Sequence, residues 1–177
     1  GTLAGNGTAE NPVTFASIKA DAVGGDSNND GSNSTAAAGD WGGIAVSGAG
    51  SIDFTQTDIR NGSYGIQGTT TGVVSAVGGT WRNFDVSGID INASNPKIQN
   101  ISVANASAAS PNAEYPAYSV SSSTLDLGRI SGNSGPQGFR LSGKVTASSN
   151  WNAQPSPWIL SGYGSGYLTI GAGTTVT

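Results

Sequence analysis

The chain contains no cysteine, no histidine and no methionine in 177 residues. Without cysteine no disulfide can staple the fold, and without cysteine or histidine the common zinc and iron ligand sets cannot be built. Nucleophilic catalysis by a Ser-His-Asp or Cys-His set is excluded for the same reason. Because it has no methionine, the chain does not begin at an initiator residue, so Gly1 is expected to follow a removed segment or to mark an internal boundary. Charge is scarce too: charged residues make up 10% of the chain, against about 25% in an average domain. With Lys+Arg at 7 and Asp+Glu at 11 the net charge is −4. No nucleic-acid partner is expected, because phosphates call for a basic face. No run approaches the roughly 18 apolar residues of a membrane span, so membrane insertion is not expected either. Helical periodicity, with apolar residues at i, i+3, i+4 and i+7 over several turns, is missing throughout.

Glycine is plentiful, at 28 residues, and Ser, Thr, Asn and Ala fill much of the remainder. Such a composition suits tight turns, and the apolar residues recur at regular places, so the chain reads as folded. Short alternating runs supply the pattern: Val13-Thr14-Phe15, Ile44-Ala45-Val46, Ile52-Asp53-Phe54, Ile89-Asp90-Ile91, Ile101-Ser102-Val103, Leu125-Asp126-Leu127, Phe139-Arg140-Leu141 and Leu168-Thr169-Ile170. Each puts two apolar side chains on one face with a polar residue between them, the period of a half-buried strand. A small residue precedes the apolar one in Gly43-Ile44, Gly65-Ile66, Gly88-Ile89, Ala117-Tyr118, Gly138-Phe139 and Pro157-Trp158, at spacings of 22, 23, 29, 21 and 19 residues.

A unit of about 22 residues repeated this often points to a solenoid. Leucine-rich repeats share the period but need Leu at fixed offsets, and Leu is sparse here. Three short strands joined by polar turns fit the unit, so the expected fold is all-β: one domain over residues 1–177, a right-handed parallel β-helix of about six to seven coils. Asn61, Asn83 and Asn133 follow similar apolar-polar patterns and are expected to stack at one corner of the coil, since Asn tolerates left-handed backbone. Residues 104–116 lengthen one coil and read as a surface loop. Residues 21–40 form the other insertion, which is acidic.

The stretch Asp26-Ser27-Asn28-Asn29-Asp30-Gly31 follows the first half of a D-x-[DN]-x-[DN]-G calcium loop. Oxygens at alternate positions of a tight loop can converge on one point, and the Gly permits the sharp turn. The bidentate Glu that closes an EF-hand loop is missing, with Ala37 in its place. Asp21 and Asp40 are the nearest further carboxylates. The expected site is therefore Ca2+ bound by Asp21, Asp26, Asn28, Asp30 and Asp40, holding together an insertion that buries little apolar surface. The competing reading is a solvated Asn/Asp/Gly turn.

Residues 1–44 resemble the β-helix segments of bacterial and archaeal surface proteins. The resemblance is carried by Gly1-Thr2-Leu3-Ala4-Gly5-Asn6-Gly7-Thr8, by Asn11-Pro12-Val13-Thr14-Phe15-Ala16-Ser17-Ile18-Lys19-Ala20-Asp21, by Val23-Gly24-Gly25-Asp26 and by Gly39-Asp40-Trp41-Gly42-Gly43-Ile44. Ala20 stands where that family has a second Asp. The likeness returns at Pro157-Trp158-Ile159-Leu160-Ser161-Gly162 and at Leu168-Thr169-Ile170-Gly171-Ala172-Gly173-Thr174-Thr175-Val176. It implies a secreted, adhesin-like β-helix of the pectate-lyase type at an extracellular or cell-surface location. The last of these elements usually precedes the first in that family, which implies a unit of a tandem array. Both ends of the chain are uncharged and β-compatible, so head-to-tail self-association through the terminal coils, or stacking on neighbouring β-helix repeats, is expected.

The reading is a non-catalytic structural or adhesive module. Two alternatives stand beside it. A carbohydrate-binding module, with a surface glycan as partner, would use Trp81, Trp151, Trp158, Tyr163 and Tyr167 as stacking platforms, although the place of Trp81 in the repeat points it inward. A polysaccharide lyase or hydrolase would need carboxylates gathered with a basic group. Its candidates are Asp53, Asp58, Asp85 and Asp90 with Arg60 and Arg82, and the repeat places those two arginines on adjacent coils.

Overall fold

A computed structural model describes residues 1–106, 116–160 and 166–177, with the side chains of 105 and 106 excepted. The described residues form thirteen strands, all paired in parallel, in two sheets. The six-stranded sheet holds β1 (Thr2–Asn6), β2 (Val13–Phe15), β4 (Ser51–Arg60), β6 (Val74–Phe84), β8 (Lys97–Ala106) and β10 (Ile130–Ser131). The seven-stranded sheet holds β3 (Ile44–Gly48), β5 (Tyr64–Thr70), β7 (Ser87–Ala93), β9 (Tyr118–Leu125), β11 (Phe139–Val145), β12 (Trp158–Ile159) and β13 (Leu168–Ile170). From β3 to β11 the chain alternates between the two sheets, and every strand from β4 onward pairs with the one a coil earlier in its own sheet. This is a parallel β-solenoid of about five turns. One 3-10 turn (Leu127–Arg129) interrupts it, and no helix among the described residues is long and apolar enough to cross a membrane.

The small-apolar pairs set the register. Ile44, Ile66, Ile89, Tyr118, Phe139 and Trp158 stack as successive Cα partners, so the uneven spacing of the repeat is absorbed in the turns and in one irregularity between Gly143 and Val145 of β11. Phe54, Ala76, Ile98 and Ile130 form a second column in the opposite sheet, and Ile59, Trp81 and Val103 a third. Apart from Ile44 and Trp158, which are partly exposed at the ends, these side chains are buried. Each of the large ones contributes on the order of 1.5–3 kcal/mol by leaving water, and the Ala76 methyl about 0.8 kcal/mol. The one buried phenol in the stack, Tyr118, satisfies its hydroxyl on the carbonyls of Ile101 at 2.6 Å and Ser134 at 2.8 Å.

Two corners recur at fixed height. Gln56, Gly78 and Asn100 all have positive φ and break the ladder between two straight arms of β4, β6 and β8. Each long strand is thus two short ones, which agrees with three strands per coil. Asn61 and Asn83 follow the paired Arg60 and Arg82, and both adopt left-handed backbone, at φ 67 and 58. Asn133 does not join them. Ile130 stacks on Ile98 rather than on Val103, which places Asn133 inside, where its amide donates to Ile98 O at 2.9 Å and accepts from Ile101 N at 3.2 Å.

The coil count is lower than the period suggests, about five rather than six to seven. Residues 16–43 form no strand between β2 and β3, and the terminal rungs β12 and β13 are only 2 and 3 residues long. The lengthened coil expected at 104–116 lies for the most part outside the described residues.

A candidate metal centre and the polar cleft beside it

The acidic insertion leaves the solenoid after β2 and returns before β3. Its return limb is stitched to the Asn61 corner. Gly39 N donates to Gly62 O at 3.2 Å, Asp40 N to Asn61 O at 3.0 Å, and Ser63 N to Trp41 O at 2.7 Å. The Trp41 indole donates to Arg60 O at 2.9 Å. Within the insertion, Gly24, Gly25, Asn29, Gly31 and Gly39 all have positive φ, so the chain doubles back on itself several times; Asp21, Asn28, Asp30, Ser34 and Asp40 are half-buried, while Asp26, Ser27, Asn29 and Asn33 stay exposed.

The five expected ligands divide by what their oxygens already hold. Asp26 closes the loop: its two oxygens accept from Asp30 N at 3.0 Å and Gly31 N at 2.9 Å. Asp40 anchors the outgoing limb to the returning one, accepting from Ser17 Oγ at 2.7 Å, Lys19 Nζ at 2.8 Å and Ala37 N at 3.0 Å. The hydrogen bond from the Lys19 ammonium, helped by that from Ala37 N, brings the Asp40 carboxyl down to about 2. Asn28 Nδ2 donates to Asp30 Oδ2 at 2.8 Å and to Ser34 Oγ at 2.9 Å, while Ser34 Oγ donates to Asp30 Oδ2 at 2.5 Å. What remains is Asp21 Oδ1, Asn28 Oδ1 and Asp30 Oδ1, each buried and each without a donor.

Three buried oxygens without donors are costly in one short loop, because an unpaired buried acceptor forfeits about 1–3 kcal/mol. All three are hard acceptors, two of them anionic, which is the donor chemistry that Ca2+ takes. No group of three or more Asp or Glu gathers into a metal-holding cluster among the described residues. To a cation Asp21 and Asp30 would each offer a carboxylate oxygen and Asn28 an amide carbonyl, with backbone carbonyls and water to complete its shell. The parts played by Ser17 and Ser34 were not foreseen from the sequence. Their hydroxyls decide which oxygens are left over, and nothing in a D-x-N-x-D-G pattern marks a serine outside it.

The candidate catalytic groups are dispersed. Asp53 and Asp90 stand in different sheets and Asp85 is exposed. Arg60 and Arg82 are Cα partners on adjacent coils, as the repeat predicts, and both reach Asp58. The aromatic candidates also separate. Trp81 is fully buried, its indole donating to Thr57 Oγ1 at 3.1 Å, so it offers no platform. Tyr163 lies outside the described residues. Tyr167 is 90% exposed. Trp151 and Trp158 meet edge to face with centroids 5.4 Å apart, and they line a depression of about 460 Å³ with Asn152, Ala153, Val176 and Thr177.

No family model, no curated protein and no solved structure matches the chain.

Proposed function

We infer that the chain is a calcium-stabilised structural module of an extracellular surface, stacking end to end on copies of itself or on neighbouring β-helix repeats and serving adhesion. The observation that carries the reading is the trio of donorless oxygens on Asp21, Asn28 and Asp30. They sit in an insertion with little apolar burial of its own, where a bound cation would supply the missing stabilisation. The resemblance of residues 1–44 to adhesin-like β-helices supports the location and role. Stacking is supported by the edges. Among the described residues, on one side β1 pairs only with β4 and β3 only with β5, while on the other β12 and β13 pair only with β11. Leu3, Leu160 and Ile170 are exposed near these edges, and residues 146–177 carry no charge at all. Uncharged open parallel edges invite further pairing.

Thermal unfolding in calcium-free, resin-treated buffer tests the metal reading. Calcium at a hundred times its Kd adds about 2.7 kcal/mol, or roughly 5–11 °C for a chain of this size, and equal magnesium is expected to add much less because it resists dehydration. An identical midpoint with and without calcium rejects it. Sedimentation velocity over rising concentration tests the stacking: a ladder of linear oligomers is expected, and a monomer at every concentration contradicts it. The Trp151–Trp158 pair favours a second reading, glycan binding by aromatic stacking. That reading predicts retention of the wild type on an immobilised neutral glycan and loss of retention in Trp158→Ala, and it fails if the two elute together.

A further inference from the structure

The cleft between the acidic insertion and the Asn61 corner encloses about 390 Å³ and is lined by Lys19, Asp21, Ser34, Thr35, Arg60 and Arg82 among others. That volume is near the lower end of small-molecule sites. Three cationic side chains front it against the single carboxylate of Asp21. The carboxylates that pair with those cations, Asp40 and Asp58, are not among the residues lining it.

The two arginines are incompletely used. Register stacks them one above the other, and both reach the same acceptor, Asp58, which is 7% exposed. Arg60 pairs with Asp58 Oδ2 through Nη2, and its Nε is buried without an acceptor. Arg82 sets its fork across both Asp58 oxygens at 3.3 Å. These contacts are long for a charge-assisted pair, which is normally about 2.7–2.9 Å. Asp58 Oδ1 gains no aligned hydrogen bond from them. Two guanidinium groups with ten N–H donors between them, by the side-chain inventory, thus share one carboxylate. Lys19, 44% exposed, stands at the same opening with one partner.

We propose that this cleft binds the oxyanion group, a carboxylate or a sulfate, of a small hydroxylated ligand, with Arg82 and Arg60 as the fork that grips the anion. Arginine suits this role because its planar donors match two oxygens at once. Thr35, which also lines the cleft, offers a hydroxyl partner for the rest of the ligand. This goes beyond the structural reading and does not require it. A calcium ion on Asp21 would turn the one repelling wall into an attracting one, so calcium is expected to tighten the binding.

The test follows the arginine Nε–H resonances of the 15N-labelled protein at constant ionic strength in calcium-free buffer, with three probes: sodium sulfate, sodium glucuronate and uncharged glucose. Saturable shifts at Arg60 and Arg82 with either anion, and none at Arg129, Arg140 or with glucose, are the expected result. Which anion saturates first distinguishes a sulfate from a carboxylate ligand. Arg82→Gln, which leaves Asp58 its Arg60 partner, is expected to weaken binding by about tenfold or more, the loss of one charge-assisted fork. Absence of shifts with both anions, or equal shifts at all four arginines, overturns the proposal. Repeating the titration with calcium reads the metal site separately. An unchanged affinity there counts against calcium on Asp21 and leaves the arginine result standing.

Discussion

Replacing Gly79 by Ala should be among the most damaging single-methyl changes in the molecule. Gly79 pairs with Thr57 below and Ile101 above at φ +119, and a Cβ placed on it would lie 1.9 Å from Thr57 O and 2.9 Å from Thr57 N. No side-chain movement relieves this, because the obstacle is the backbone of the neighbouring rung. Alanine is strained in this left-sided conformation by about 1–3 kcal/mol, and the rungs must also part and lose one or two ladder hydrogen bonds at about 0.5–1.5 kcal/mol each. The expected cost is about 1.5–6 kcal/mol. Gly25→Ala is the control: φ is +83 there, yet nothing lies within 4 Å of the added methyl, so only conformational strain of about 1–2 kcal/mol is expected. Urea denaturation of the three proteins, read by Trp fluorescence with m-values compared, measures both. If Gly79→Ala and Gly25→Ala lose the same stability, the close approach of successive rungs at this position is wrong.

Tyr118→Phe should cost only about 1 kcal/mol in the same assay, because Ile101 O and Ser134 O keep the backbone donors Ser134 N and Val103 N. Burial pushes the Tyr118 phenol above its ordinary value of 10.0. The unfolded chain ionises first, so this contribution holds below about pH 10 and is lost as pH rises beyond it. Wild type should therefore lose more stability above pH 10 than Tyr118→Phe, and parallel losses would contradict the buried phenol. Asp40 has the opposite sign. Its folded value of about 2 lies below that of the unfolded chain, so its contribution is complete above about pH 4 and disappears as pH falls toward 2. Asp40→Asn should be less stable than wild type at pH 7 and converge with it by pH 2, and a constant gap across that range would refute the Lys19 anchor.

Much of the fold was legible because a solenoid repeats its errors as well as its rules. The six small-apolar pairs from Gly43-Ile44 to Pro157-Trp158 marked the column that aligns β3, β5, β7, β9, β11 and β12, since in each coil the large side chain must enter the same column. The Asn61–Asn83 corner and the Arg60–Arg82 stack followed from the same period. Asn133 was misplaced because turn chemistry is degenerate. An Asn after an Ile-polar pair suits an outer corner or an internal cap equally well, and only the pairing of Ile130 with Ile98 separates the two. The number of coils was overcounted because the period does not show how short the last rungs are: β12 and β13 hold only 2 and 3 residues. In the acidic loop the motif located the turn, with Asp26 gathering Asp30 N and Gly31 N. Which oxygens stay unpaired depends on donors elsewhere, Ser34 and Lys19 above all, and so on tertiary structure.

Calorimetric titration of calcium into the resin-treated protein, alongside Asp30→Asn, tests the central claim most directly. The substitution keeps the size of the side chain and a carbonyl-type oxygen while removing the charge. One saturable binding event per chain in the wild type, weakened or abolished in Asp30→Asn, is the predicted result. No saturable heat in the wild type, or the same affinity in both proteins, would contradict it.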